Sequence, residues 1–306
     1  MELLRLLARK LSRKWLLRVG RMAGFIAYAV AGKDRRRALK QLAQAIPAMG
    51  ETERRRTVRD CFNNLSCTML EALAAPAWSD AEMLGLVHNP EVLARVVEVS
   101  RSGQGAVFVV AHMGNWELQG AVFARQGGRT TALARRRDDG AAESFITKVR
   151  QENRISILFT DQSPRPALRA IRNGETVSIL ADQDITAIDG IFVDFFGRPA
   201  WTASAPASLS LTTGAPLYIA LLLRDGEGFK VAFEGPFAAK GESKDERIAS
   251  LTREWSSALE QIIRKHPGQW VWMHKRWRNT PERIARHKGA RKEGAPETRE
   301  REGGHA

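Results

Sequence analysis

The stretch Ala106–Glu117, AVFVVAHMGNWE, decides how the chain reads. Its first six residues are a continuous apolar run, long enough for a strand buried on both faces and too short for a helix. The run ends at His112, and Gly114 allows a tight turn before a helix that begins near Asn115. In an open α/β sheet the ligand site lies beyond the carboxyl ends of the strands, which is where this histidine falls. Glu117 follows five residues on, in the first turn of the helix. If the chain turns at Met113-Gly114, the carboxylate folds back toward the imidazole. Such a pair serves general-base catalysis, because the carboxylate fixes the tautomer and stabilises the imidazolium. Free N–H groups at the helix start suit developing negative charge. Taken singly, His112 is a structural residue at a strand end and Glu117 an acid favoured by the helix dipole. Their combination with Gly114, Asn115 and Trp116 favours the dyad.

Working outward, the preceding segments are helical. Residues 33–46 stop at Pro47, residues 51–75 stop at Pro76, and residues 90–101 start at Pro90. In the second of these, Val58, Phe62, Leu65, Met69 and Leu73 form the expected buried face. Beyond Glu117 the pattern alternates. Strand-like segments near 130–134, 155–159, 176–181 and 191–196 are separated by helical ones near 140–153, 164–173 and 201–213. Leu217–Arg224 and Phe229–Glu234 read as a hairpin around Asp225-Gly226. A last helix covers about 243–265. This alternation argues an α/β fold with a mostly parallel central sheet flanked by helices.

The charge is concentrated at one end. The net charge is +14, and residues 1–59 carry 16 basic and 4 acidic side chains while the rest is nearly neutral. A nucleic-acid surface would spread its charge more widely, so no nucleic-acid partner is expected. Within residues 1–31, Leu4, Leu7, Leu11, Trp15, Val19, Met22 and Ile26 recur at helical spacing and form one stripe. Arg5, Arg9, Lys10, Arg13, Lys14 and Arg21 fall mostly elsewhere. There is no signal-peptide pattern, and Arg18 and Arg21 interrupt any plain spanning helix. The leading reading is a helix lying on an anionic membrane surface. A helix covering the protein's own core and a tilted spanning helix are the alternatives.

Three units follow. Residues 1–46 are basic amphipathic membrane-associated helices, residues 47–281 an α/β domain with its own N-terminal helices, and residues 282–306 a polar, disordered tail. The two cysteines, Cys61 and Cys67, lack partners at zinc-ligand spacing and read as buried reduced thiols. No GxGxxG after a strand, Walker A loop, HExxH or GxSxG occurs. Dinucleotide enzymes, P-loop kinases, zincins and ordinary α/β-hydrolases are thereby disfavoured.

HMGNWE resembles the H-x(4)-D/E motif of glycerolipid acyltransferases, in the HxGNWE form of the bacterial late lipid A biosynthesis (lauroyl/myristoyl) acyltransferases. ALRAIRNGETVSILADQD, GIFVDFFGRPAWTASAPASLSLTTGAPLYIALLLR and HPGQWVWMHKRW resemble further segments of that family, in the same order. The resemblance covers most of residues 1–281. It implies a glycerolipid-acyltransferase-like fold and transfer of an acyl group from an acyl carrier protein thioester to a hydroxyl of a membrane lipid. A lipid A precursor is the leading acceptor. Another lipid (lysophospholipid, phosphatidylinositol mannoside or aminolipid) is the alternative. In this picture His112 takes the hydroxyl proton, Glu117 orients His112, and neither metal nor organic cofactor is needed. The place of action is the cytoplasmic face of the bacterial inner membrane. A thioesterase and a non-catalytic basic membrane-binding protein remain as rivals.

Around the motif, Gly114 and Asn115 are candidates for substrate contact. Asp182 and Asp184 flank Gln183 beyond a strand. By themselves they read as paired carboxylates or as a metal site; the resemblance implies an active-site wall that shapes the hydroxyl or acyl pocket. Phe195 and Phe196 read as acyl-channel lining or strand-end core. Arg135, Arg136 and Arg137 read as phosphate ligands on the catalytic rim or as a solvated loop, and Arg150 carries the same two readings. Here ARRRDDGAAES departs from the R-P and N-P turn usual in the family, which leaves the acceptor headgroup open. His274 is a second histidine candidate; its basic neighbours argue for His112 as the base.

Overall fold

A computed structural model describes residues 2–128, 130–134, 141–159 and 163–292. The N-terminal half is helical: α1 (Glu2–Lys10), α2 (Arg13–Val30), α3 (Gly32–Ala45), α4 (Glu51–Ala74), α5 (Asp80–Leu84) and α6 (Pro90–Arg101). The alternating part follows with β1 (Ala106–Val110), α7 (Trp116–Arg125), β2 (Thr130–Ala134), α8 (Ala141–Glu152), β3 (Ser156–Phe159), α9 (Arg165–Arg172) and β4 (Thr176–Leu180). It continues with β5 (Gly190–Asp194), β6 (Pro199–Ala203), α10 (Ala205–Thr213), β7 (Leu217–Asp225), β8 (Gly228–Glu234), α11 (Lys244–Lys265) and α12 (Pro281–Lys292).

Six strands form the main sheet among the described residues, in the order β3-β2-β4-β1-β7-β8. All neighbours pair in parallel except β7 and β8, which form the antiparallel hairpin. The buried run therefore becomes a central strand. Val107 and Val109 of β1 face one core, with α3, α4, α10 and α11, while Ala106 and Phe108 face another, with α5, α6 and α7. β7 divides the same way, Leu217, Ile219 and Leu221 to one side and Ala220 and Leu222 to the other. Two buried faces explain why neither strand alternates apolar with polar residues.

Three segments differ from the sequence expectation. Pro199–Ala203 pairs with β5 as a second, two-stranded sheet, where a helix from 201 is expected. The FFG turn makes this hairpin, with Phe196 and Gly197 at φ 58° and 72°, and α10 begins only after it. Residues 281–292 form a helix where the disordered tail of 282–306 is expected to begin, with Ile284 buried; residues 293–306 lie outside the described residues. In α4, Leu65 and Met69 are only half-buried, whereas Asn64, Thr68 and Glu71 are buried. Val58, Phe62 and Leu73 are buried as expected, so the interior face of that helix is apolar with a polar patch in it, for a reason that lies at the site.

The N-terminal stripe is turned outward. α2 packs Leu16, Leu17, Gly20 and Gly24 against α4, so closely that a Cβ at Gly24 would lie 2.5 Å from the Asn63 Cα. Leu4, Leu7, Leu11, Trp15, Met22, Phe25 and Ile26 are exposed. Several arginines of the segment are engaged inward. Arg5 and Arg9 pair with Glu152 of α8, and Arg13 with Glu71. No helix among the described residues is long and apolar enough to cross a membrane.

Candidate active site

Parallel pairing of β1 with β4 aligns Val110 with Leu180, so two residues further along His112 faces Asp182. Asp182 Oδ1 lies 2.8 Å from His112 Nδ1, and Oδ2 accepts the His112 backbone N–H at 2.9 Å. Trp270 Nε1 donates to the same Oδ2 at 2.8 Å. Burial alone would raise the Asp182 carboxyl. The charges of His112 and His274 and the hydrogen bonds from His112 and Trp270 outweigh it and hold the group well below the usual aspartate range. With Asp182 on Nδ1, Nε2 is the ring nitrogen left for a substrate. The His112 side chain is 18% exposed, against 1% for Asp182, so the imidazole is reachable and its orienter is not.

Glu117 stands in a different relation from the expected one. Its carboxylate receives Arg150 in two bonds, 2.6 and 2.9 Å, and Trp116 Nε1 at 3.2 Å. Burial would raise this carboxyl too, but Arg150, through charge and hydrogen bonds, lowers it together with Trp116 and the nearby His112. The Trp116 ring stands edge-on to His112, with centroids 5.3 Å apart. At the i+5 spacing Glu117 thus bonds Arg150 and Trp116, while the hydrogen bond to the imidazole ring comes from the adjacent strand end. Arg150 is drawn to the site as the partner of Glu117.

Gly114 and Asn115, expected at the substrate, are built into the scaffold. Gly114 has φ 61°, and a Cβ there would meet Leu222 O at 2.1 Å, so only glycine fits. Its carbonyl accepts from Asn64 Nδ2 at 2.9 Å and Thr68 Oγ1 at 3.0 Å. Asn115 is 0% exposed. Its Oδ1 caps the Leu118 N–H, and its Nδ2 donates to Glu71. The N–H groups of Gly114, Asn115 and Leu118 bond Gln269 O, Leu222 O and Asn115 Oδ1, so these three are not free for an oxyanion.

Glu71 explains the polar patch of α4. This carboxylate, 0% exposed, receives Arg13 at 2.9 Å, Arg224 at 2.6 and 3.3 Å, and Asn115 at 2.9 Å. Buried charges are held only where several donors replace water. The spacing of Asn64, Thr68 and Glu71 at one helical face was the available signal, and the apolar reading of α4 passes over it.

Asp184 also acts on the scaffold. It accepts from the backbone N–H groups of Arg278 and Asn279, both at 2.9 Å, and from Asn279 Nδ2. No group of three or more His, Cys, Asp or Glu side chains that could hold a metal ion occurs among the described residues. Phe195 and Phe196 are buried against Trp270, Trp272 and Trp277, a filled aromatic core beneath Asp182. Arg135, Arg136 and Arg137 lie outside the described residues.

Gln183 and His274 complete the cluster. Gln183 Nε2 is 3.4 Å from His112 Nε2 and 3.1 Å from His274 Nε2, and the two imidazoles stand 4.8 Å apart. The arrangement offers a carboxylate-held imidazole, a second imidazole and an amide around one exposed nitrogen, which suits removal of a proton from a hydroxyl.

The comparisons agree with this chemistry. A family model described as bacterial lipid A biosynthesis acyltransferase matches residues 1–279. A phosphatidylinositol mannoside acyltransferase of Mycobacterium tuberculosis (strain CDC 1551 / Oshkosh) is 30% identical over 181 residues, 58% of this chain and 55% of that protein. This chain thus spans little more than half the length of that relative. The lipid A biosynthesis lauroyltransferase of Escherichia coli K12 is 24% identical over 255 residues, 80% of this chain and 79% of that protein. The lipid A biosynthesis myristoyltransferase of the same strain is 24% identical over 262 residues, 85% and 79%. With its family model matched over almost the entire described chain, the protein belongs to the bacterial lipid A biosynthesis acyltransferase family.

Proposed function

We propose that the protein is a membrane-surface acyltransferase that moves a fatty acyl group from an acyl carrier protein thioester to a lipid hydroxyl, with a lipid A precursor as acceptor. The observation that carries this reading is the partly exposed His112 imidazole held on Nδ1 by the buried Asp182 carboxylate. His112 Nε2 takes the proton of the acceptor hydroxyl. The alkoxide oxygen bonds to the thioester carbonyl carbon, the C–S bond breaks, and the departing thiolate receives the proton from the imidazolium. Asp182 stabilises the imidazolium between these two events. Glu117, paired with Arg150 and held close to His112, adds to the negative field and fixes the start of α7. No acyl-enzyme is formed.

The exposed apolar row of α1 and α2 supports docking on the cytoplasmic leaflet, where donor and acceptor meet. A mannoside-bearing phosphoinositide is the second acceptor reading, favoured by the 30% identity to the mycobacterial relative.

The test incubates the purified protein with labelled acyl carrier protein thioester and total bacterial lipid extract, with product identified by mass spectrometry. Label in one lipid class, lost in His112→Ala, is the expected result and names the acceptor. Label released only as free fatty acid replaces acyl transfer by a thioesterase. No turnover by folded protein, with carrier or coenzyme A thioesters, removes the enzyme reading.

A further inference from the structure

A cavity of about 500 Å3 lies between α2, α4, the β7–β8 turn and the short turn Pro267–Gln269. Arg21, Asp60, Asn63, Arg224, His266 and Gln269 are among its lining residues, and none of His112, Asp182, Gln183 and His274 is. It sits behind the catalytic turn. Asn64, which also lines it, and Gln269 hold the Gly114 carbonyl and N–H from that side.

The charge around this cavity is unbalanced. Glu71 is a single buried carboxylate facing two guanidiniums, Arg13 and Arg224. Arg224 spends three N–H bonds on Glu71 and Asn64, so two of its five donors remain. Arg21 is exposed at the cavity wall and makes no ion pair among the described residues. The opposing acid on the wall is Asp60, a single carboxylate 3.9 Å from Arg56. Glu227, which acts on Arg13, is exposed in the β7–β8 turn, where solvent screens it. A half-enclosed space with guanidinium donors in excess calls for an anion with several acceptor oxygens.

Its position selects the anion. On α2, successive residues turn about 100°. Gly20 and Gly24 face α4, while Trp15, Met22 and Ile26 face outward. Arg21 falls at the border between those faces, with Lys14 on the same flank. When the outward row enters a bilayer, that border lies at the level of the lipid headgroups.

We propose that this cavity binds the phosphate of an anionic membrane phospholipid, taken between Arg21 and Arg224, as a site separate from the reacting centre. The proposal rests on membrane docking by α2, but its test requires neither turnover nor a bilayer. Calorimetric titration uses dihexanoyl phosphatidylglycerol below its micelle concentration, with inorganic phosphate as the second probe. The expected result is saturable binding of the phospholipid, weakened at least about tenfold in Arg21→Gln, the effect of one lost charge-assisted bond. Lys14→Gln removes the same charge from the same flank without touching the cavity, and is expected to bind within about twofold of the unchanged protein. Equal weakening in both variants, or no binding by the folded protein, overturns the site. Inorganic phosphate binding as tightly as the phospholipid overturns the lipid as its occupant. Loss of acyl transfer in His112→Ala leaves this titration unchanged, so the two readings fail separately.

Discussion

Asp182 holds both ends of His112: one carboxylate oxygen takes the ring nitrogen Nδ1 at 2.8 Å and the other takes the backbone N–H at 2.9 Å. Ring and main chain are thus locked to one anion on the neighbouring strand end. Asp182→Asn keeps the shape but supplies an amide that can favour the wrong tautomer. Its expected effect is a fall in kcat of about 10^3–10^4-fold with little change in KM. Steady-state kinetics on the thioester decide it. A loss of less than about tenfold separates Asp182 from the mechanism.

The same carboxyl leaves a mark on acid stability. Its folded value lies below its unfolded one, so its contribution is fully present above the ordinary aspartate range near pH 4 and is lost as pH falls further. The urea midpoints of the unchanged protein and Asp182→Asn should therefore differ most at neutral pH. They should converge below about pH 4. A constant gap across that window contradicts the assignment.

Glu117→Gln alters the carboxylate that takes two bonds from Arg150 rather than the hydrogen-bonding partner of His112. We expect a smaller loss of kcat than in Asp182→Asn, by at least about tenfold, and a drop in stability from weakening the charge-assisted pair between Glu117 and Arg150. Kinetics and thermal unfolding of the two variants, measured side by side, rank them. If Glu117→Gln is the more damaging for kcat at equal stability, the helix acid is the orienter.

Glu71→Ala leaves Arg13 and Arg224 buried without their carboxylate and frees the Asn115 amide. A cost of about 3–5 kcal/mol is expected in urea unfolding. Gly114→Ala is expected to disrupt the turn itself, because the new Cβ has no space against Leu222 O and the backbone is left-handed. Soluble yield and near-ultraviolet circular dichroism report that loss.

Met22 is 61% exposed in the outward row of α2, and nothing in the interior depends on it. Met22→Asp should leave the unfolding midpoint within about 0.5 kcal/mol while weakening flotation with anionic vesicles at least about tenfold. The apolar part of that binding should survive high salt, unlike attachment through charge alone. Unchanged flotation would put the membrane contact elsewhere.

Much of the architecture is legible along the chain, since local pattern sets it. Five of the six apolar residues bounded by turn signals became β1, the Asp225-Gly226 hairpin formed between β7 and β8, and Pro47 lies just past the helix that it was expected to stop. The FFG segment misled the reading because a hairpin there depends on a left-handed Phe196 backbone, which residue type does not announce. The helix at Pro281–Lys292 was passed over because its composition is that of a solvated segment and one buried side chain, Ile284, ties it down.

By itself, the sequence determined that His112 ends a buried strand, that the chain is α/β, and that the N-terminal segment is basic with one apolar stripe. Tertiary structure alone decided which carboxylate meets the imidazole. Asp182 and His112 are 70 residues apart in the chain, and only the parallel register of β4 on β1 brings them to hydrogen-bonding distance. It also decided which side of α2 faces out. Gly20 and Gly24 permit a close approach to α4 that larger residues do not, so the small face turns inward and the bulky apolar row is left exposed. Spacing fixes which residues share a strand end or a helix face. Packing between segments remote in sequence fixes what each of those faces meets.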